Sequence, residues 1–227
     1  MVFNNIQAHT TMNTDFVRRQ MVEQQIRTWD VFDADVLTAF GGVPRDHFVP
    51  AEFRNAAYAD DEIPLAHGQC MLRPSIVGRI VQALGIHADD EVLDVGTGTG
   101  YLAACLAQVA RKVTTIDLFE DFVAQAGKNL DDADVANVSA KCMDATKELP
   151  DGHFDAIAVT GSVTQLDQRF VAALKPDGRL FIVVGNSPAK KALLIKRRSD
   201  DTVETTDLFE TDIPALITGN KPAVFSF

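Results

Sequence analysis

At 227 residues and 24.7 kDa, the chain is long enough to bury a sizeable core without disulfide or metal staples. Its composition, 46% hydrophobic and 23% charged, excludes collagen-like, disordered and low-complexity classes. The balance of 21 basic against 32 acidic residues gives −11, which repels phosphate backbones and anionic lipid and points to small-molecule or protein chemistry.

The lead from Met1 to Met12 is polar and lacks a basic-then-apolar signal pattern, and no apolar run approaches the ~18 residues of a spanning helix. Cys70, Cys105 and Cys142 lie far apart with no Cys-x-x-Cys, so they read as reduced thiols in a cytoplasmic protein. Cys105 and Cys142 are expected in the core. The five histidines form no i, i+4 pair and no group with the cysteines, so no metal site is expected.

Apolar residues at Val17, Met21, Val22, Ile26 and Trp29 predict an amphipathic helix over 14–29, with Phe16 and Trp29 packing the cap. A second helix is expected from Asp33 to Phe40, stopped by Gly41-Gly42. A loop-rich stretch from Val43 to Arg73 follows. Helix resumes from Pro74 to Leu84, with proline in the first turn and Gly85 past the end.

Beyond Gly85 short apolar runs alternate with helices. Strands are expected at 91–95, 112–117, 137–142, 154–160 and 179–184, and helices at 101–109, 119–130 and 166–174. That alternation predicts an α/β fold with a doubly wound, mostly parallel sheet. The tail differs: residues 191–198 and 203–210 flank Ser199-Asp200-Asp201 as an antiparallel hairpin on the sheet edge. The basic cluster of Lys190, Lys191, Lys196, Arg197 and Arg198 reads as charge protecting that edge. No linker divides the chain, so 1–227 reads as one domain, with a helical cap over 1–85 and the α/β core and hairpin over 86–227.

The strongest chemical signal is Asp94-Val-Gly96-Thr97-Gly98-Thr-Gly100-Tyr, which follows an apolar strand and opens a helix. Glycines there allow a tight turn and close approach of a ligand to the backbone beside a helix N-terminus. Asp117, at the end of the next strand, stands where a carboxylate accepts from ribose hydroxyls. Residues 98–103 also satisfy the G-x-G-x-x-G/A dinucleotide pattern, so the loop alone does not name the nucleotide. The acid inside the strand, the helical cap ahead of the binding unit and the terminal hairpin lean away from a nicotinamide cofactor.

This arrangement looks like a class I S-adenosyl-L-methionine-dependent methyltransferase, in which Asp144 lies where the adenine amino group is often held. The flanks narrow the resemblance. Val43-Pro-Arg45-Asp-His-Phe48-Val-Pro50, Ala57-Tyr58-Ala-Asp60, Pro64-Leu65 and Gly68-Gln69 precede the glycine loop in that order. Phe154-Asp155-Ala-Ile, Val159-Thr160 and Lys175-Pro-Asp-Gly178 follow it. The series resembles the protein-L-isoaspartate O-methyltransferase family from about Phe16 to Val184. Further on, only Ile213-Pro214 and Gly219 echo a family loop. The resemblance implies an O-methyltransferase that uses S-adenosyl-L-methionine to methylate isoaspartyl carboxylates in damaged proteins.

One loop departs from the family. Where it reads G-Q-T-I-S-x-P, this chain reads Gly68-Gln69-Cys70-Met71-Leu72-Arg73-Pro74. Leu72 takes the place of the family's serine at the donor–acceptor junction, and Cys70 that of its threonine. The family pattern puts Cys70 and Ser75 near the donor. Arg73 offers a fork for a carboxylate. Ser162 is a possible replacement hydroxyl, and His67 is expected at the surface. A carboxylate acceptor is already ionised at neutral pH, so alignment and water exclusion suffice without a metal or strong base. The altered loop leaves two alternatives: a methyltransferase with another small-molecule or protein acceptor, or a non-catalytic donor-binding protein.

Overall fold

The structure, a computed structural model, describes residues 14–217. The expectations for Met1–Met12 and for Gly219 lie outside the described residues. Residues 14–29 form one continuous helical run that changes from α geometry to π over Met21–Ile26 and to 3-10 over Arg27–Trp29. Its buried face is Met21, Val22 and Ile26. Phe16 and Trp29 correct the expectation of cap packing: they are 54% and 42% exposed.

Helix α1 (Ala34–Gly42) starts where the Asp33 carboxylate accepts from the N–H groups of Asp35 and Val36. It runs through Gly41 and Gly42 rather than stopping before them. The end comes at Val43, which is extended because Pro44 disfavours α geometry in the residue before it. The stretch expected as loop contains α2 (Arg45–Phe48), a 3-10 segment (Ala51–Ala56) and two short strands, β1 (Ile63–Pro64) and β2 (Cys70–Met71). The strands pair antiparallel, Ile63 with Met71 and Pro64 with Cys70. Helix α3 (Pro74–Leu84) has the expected bounds, with Gly85 left-handed at its end. It crosses the N-terminal helix closely: a Cβ on Gly78 would lie 2.7 Å from Ile26 Cγ2.

The main sheet holds β3 (Glu91–Val95), β4 (Lys112–Asp117), β5 (Val138–Cys142), β6 (Phe154–Val163), β7 (Leu174–Asn186), β8 (Ala189–Arg197) and β9 (Val203–Glu210). Their order is β5-β4-β3-β6-β7-β8-β9. The first five are parallel, and β8 and β9 close the sheet antiparallel. Between them run α4 (Tyr101–Ala107), α5 (Glu120–Asp132) and α6 (Gln168–Ala172). Helix α6 is shorter than expected. Asp167 caps it at one end, and the fully buried Leu174 belongs to β7, paired with Phe154.

Alternate residues of the central strands feed two apolar clusters, as burial on both faces of a parallel sheet requires. Val92, Ala158, Phe181 and Val183 pack with the N-terminal helix, α3 and α4. Leu93, Val95, Ile157, Val159, Leu180 and Ile182 pack on the other face with Phe170 and Val171. The first cluster also includes cap residues Phe40, Phe48 and Met71, so cap and sheet share one core. Two surface expectations change. Lys190, Lys191, Lys196 and Arg197 lie on β8, inside the sheet, Arg198 follows it, and the outer edge is β9. Cys142 is exposed, whereas Cys105 is buried.

Candidate active site

In the sheet order the neighbours of β3 are β4 on one side and β6 on the other, so a crevice opens beyond its C-terminal end. The glycine loop sits there. Gly96 has φ +105, and a Cβ on it would lie 2.2 Å from the Thr160 hydroxyl oxygen. Thr160, from β6, donates to the carbonyls of Val95 and Gly96 and seals the base of the loop. Only glycine meets both conditions.

A cleft of about 940 Å³, partly open to solvent, occupies this crevice. Gly96, Thr97, Gly98 and Asp117 line it, joined by Leu118, Phe119 and Phe122. The Asp117 carboxylate accepts from the N–H groups of Gly98 at 3.0 Å and Phe119 at 3.1 Å, which fixes it in the wall. Burial raises its pKa, and the backbone donors oppose that shift.

Asp94 does not reach the cleft. It is fully buried behind the loop, where Oδ2 accepts from Thr115 Oγ1 at 2.7 Å and Oδ1 has no partner. Burial pushes its pKa up to about 7. Thr115 in turn meets Thr97 Oγ1 at 2.6 Å, so Asp94 touches the lining only through two hydroxyls. Gly100 also lies outside the lining. Left-handed at φ +87, it caps α4 against Ala126. Asp144 is flanked by lining residues Met143 and Ala145, but its carboxylate accepts from Thr146 and pairs with Lys147 at 3.0 Å.

The β1–β2 loop forms the opposite wall through Leu65, Gln69, Cys70, Met71 and Leu72. Cys70 donates to Glu62 at 3.6 Å, and burial with that carboxylate pushes the thiol up to about 12, so it stays protonated. Leu72 lines the cleft and is 8% exposed. Two placements correct the sequence reading. Arg73 is the N-cap residue of α3 and points away, about half exposed, with Glu62 at 4.0 Å. Ser75 is buried off the lining, its N–H and hydroxyl both donating to the Asp60 carboxylate at 3.0 and 2.9 Å.

The cation in the lining is instead Arg45, from the Val43–Pro50 motif. An arginine set among Val43, Pro44 and Phe48 is the signal that was there to read. His67 is more than a surface residue: its ring stacks on Phe119 at 3.9 Å and bonds the Asp121 carboxylate at 2.9 Å, joining the loop tip to α5. The segment after β9 closes another side. Ala215 bridges Ser162, and Pro214, Leu216 and Ile217 line the cleft. The Ser162 hydroxyl is used there, donating to the carbonyls of Ile213 and Pro214.

These features fit an S-adenosyl donor. The glycine loop brings bare backbone to the cleft wall, Asp117 supplies an acceptor for hydroxyls, and apolar side chains cover the flanks. Among the described residues no helix is long and apolar enough to cross a membrane.

Comparison with known proteins shows the family. Residues 17–218 match the family model described as protein-L-isoaspartate(D-aspartate) O-methyltransferase. The protein-L-isoaspartate O-methyltransferase 2 of Shewanella sediminis is 40% identical over 81% of this chain and 76% of its own length. That of Trichlorobacter lovleyi is 36% identical over 85% and 89%. A Plasmodium falciparum structure named for the same activity, in complex with S-adenosyl-L-homocysteine, superposes with a TM-score of 0.76 at 20% identity. It covers 88% of this chain and 98% of that one, a likeness of fold. With a family model spanning nearly all the described residues and relatives this similar over most of their length, the chain belongs to the protein-L-isoaspartate O-methyltransferase family.

Proposed function

We propose that this protein methylates the carboxylate of isoaspartyl residues in damaged proteins and peptides, with S-adenosyl-L-methionine as donor. The observation that carries the reading is a single cleft lined on one side by the glycine loop and Asp117 and on the other by Gln69–Leu72. When bound, the donor supplies a methyl group activated on a sulfonium.

Gly96, Thr97, Gly98 and Asp117 are the residues we assign to holding it. Asp94 and Gly100 act from behind, keeping the loop in shape, and Asp144 fixes the turn that presents Met143 and Ala145. Cys70 and Leu72 face the junction with the acceptor. Arg73 and Ser75 support this wall from outside, Ser75 through Asp60. The acceptor carboxylate is ionised at neutral pH, so the protein need only align it and exclude water. Leu72, Met71, Leu216 and Ile217 are suited to excluding water, and none of them is asked to move a proton. The net charge of −11 goes with a peptide rather than a nucleic-acid partner. A cytoplasmic location goes with the three unpaired cysteines.

The test is transfer of labelled methyl to an isoaspartyl peptide and to its normal aspartyl counterpart. Base-labile label on the isoaspartyl peptide alone is expected. No transfer above background to it would refute the proposal.

A further inference from the structure

Two polar atoms of residues in the cleft wall, Nη1 of Arg45 and the Tyr101 hydroxyl, are buried without a well-formed hydrogen bond; Arg45 and Tyr101 neighbour each other, and the buried Cys105 thiol lies beside the hydroxyl. Arg45 is completely buried. Its Nε donates to the Ala57 carbonyl at 2.9 Å and its Nη2 to the Leu72 carbonyl at 3.0 Å, leaving Nη1 without a backbone acceptor. The guanidinium lies 4.8 Å from the centre of the Tyr101 ring, which Phe40 and Phe48 hold by edge and tilted contacts. Asp60, an acid whose charge it feels, is committed to Ser75. Among the described residues no carboxylate forms an ion pair with Arg45, although burying a cation is costly unless an anion meets it.

We propose that Arg45 and Tyr101 form a carboxylate-binding subsite inside the cleft, in which Nη1 and the phenol hydroxyl donate to a carboxylate of the bound ligand. The inference rests on the methyltransferase reading above, whose chemistry offers two such groups: the amino-acid end of the donor and the isoaspartyl acceptor. A planar guanidinium already fixed by two backbone carbonyls is preorganised for either. It also answers how an acidic protein with Leu72 at the junction and Arg73 turned outward receives a carboxylate.

Titration calorimetry decides between the sources, using S-adenosylhomocysteine and its decarboxylated analogue with the wild type, Arg45→Lys and Tyr101→Phe. If the donor's carboxylate occupies the subsite, the wild type prefers S-adenosylhomocysteine by roughly ten- to hundredfold, and both variants shrink that preference. If the acceptor's carboxylate occupies it, the preference is unchanged, and KM for an isoaspartyl peptide rises about tenfold in Arg45→Lys with little change in kcat. Arg45→Lys also removes two backbone contacts, so Tyr101→Phe, which keeps the ring, is the second arm. At least a threefold change in one of the two readouts is expected from it. Preference and KM within twofold of wild type in Tyr101→Phe would overturn the subsite, whatever Arg45→Lys does. So would an Arg45→Lys protein that loses both nucleosides equally while KM is unchanged. A wild type that binds neither nucleoside would instead fail the methyltransferase reading.

Discussion

Asp94 offers the most quantitative test of the site's electrostatics. Buried beneath the glycine loop with one oxygen unpartnered, it has a pKa of about 7 against an ordinary 3.8. A carboxyl whose folded pKa lies above its unfolded value binds more protons in the native state. Stability is therefore lost as pH rises from about 4 to about 7, and the loss levels off above that. The rise from 3.8 to about 7 corresponds to ~4 kcal/mol across the window. Asp94→Asn removes the titration while keeping an acceptor for Thr115. Urea unfolding of both proteins at pH 5, 6, 7 and 8 reads the residue together with its coupling to Asp117, since the remaining groups contribute to both alike. The stability of Asp94→Asn relative to wild type should grow by ~2 kcal/mol between pH 5 and 7 and then flatten. A difference that is constant within ~0.5 kcal/mol, or that shrinks with pH, would refute the assignment of a buried, proton-holding Asp94.

Three further outcomes follow from the geometry. Gly96→Ala must place a Cβ 2.2 Å from Thr160 Oγ1 at φ +105, so it should lower stability by about 2–4 kcal/mol and abolish detectable S-adenosylhomocysteine binding, read by denaturant melts and calorimetry. Leu72→Ser should cost about 1.5–3 kcal/mol of burial and raise kcat/KM on an isoaspartyl peptide about tenfold or more; unchanged turnover would mean that the leucine does not face the acceptor. His67→Ala removes the stack on Phe119 and the bond to Asp121 that tie the loop tip across the cleft. Stopped-flow release of S-adenosylhomocysteine should then quicken by about two- to tenfold, and an unchanged rate would show that the tip does not gate the ligand.

What was legible in the sequence was whatever short-range pattern dictates. Strands β3 and β4 and helix α3 have the expected bounds, because apolar runs, a proline at N1 and a left-handed glycine specify them locally. The glycine loop and Asp117 were legible for the same reason: a strand, its turn and the end of the next strand are fixed by chain geometry. The π turn at Met21–Ile26 and the exposure of Phe16 and Trp29 were not, since apolar periodicity does not say which residues a neighbouring helix will cover. The direction of Arg73 was equally hidden. It depends on the pairing of Ile63 with Met71, after which Leu72 turns inward and Arg73 becomes the outward cap of α3.

Arg45 shows the same limit from the other side. It stands 27 positions before Leu72, and only the folded loop brings the guanidinium under that residue's carbonyl. The physical consequence favours the buried cation over the surface one. A half-exposed Arg73 acts through water and salt, which screen it over ~8 Å at physiological ionic strength. Arg45 acts inside a wall of apolar side chains, where the same charge has far greater effect on an anion within reach. A protein carrying −11 overall can therefore admit a carboxylate without a basic surface, provided that the one cation it spends is held where solvent cannot dilute it.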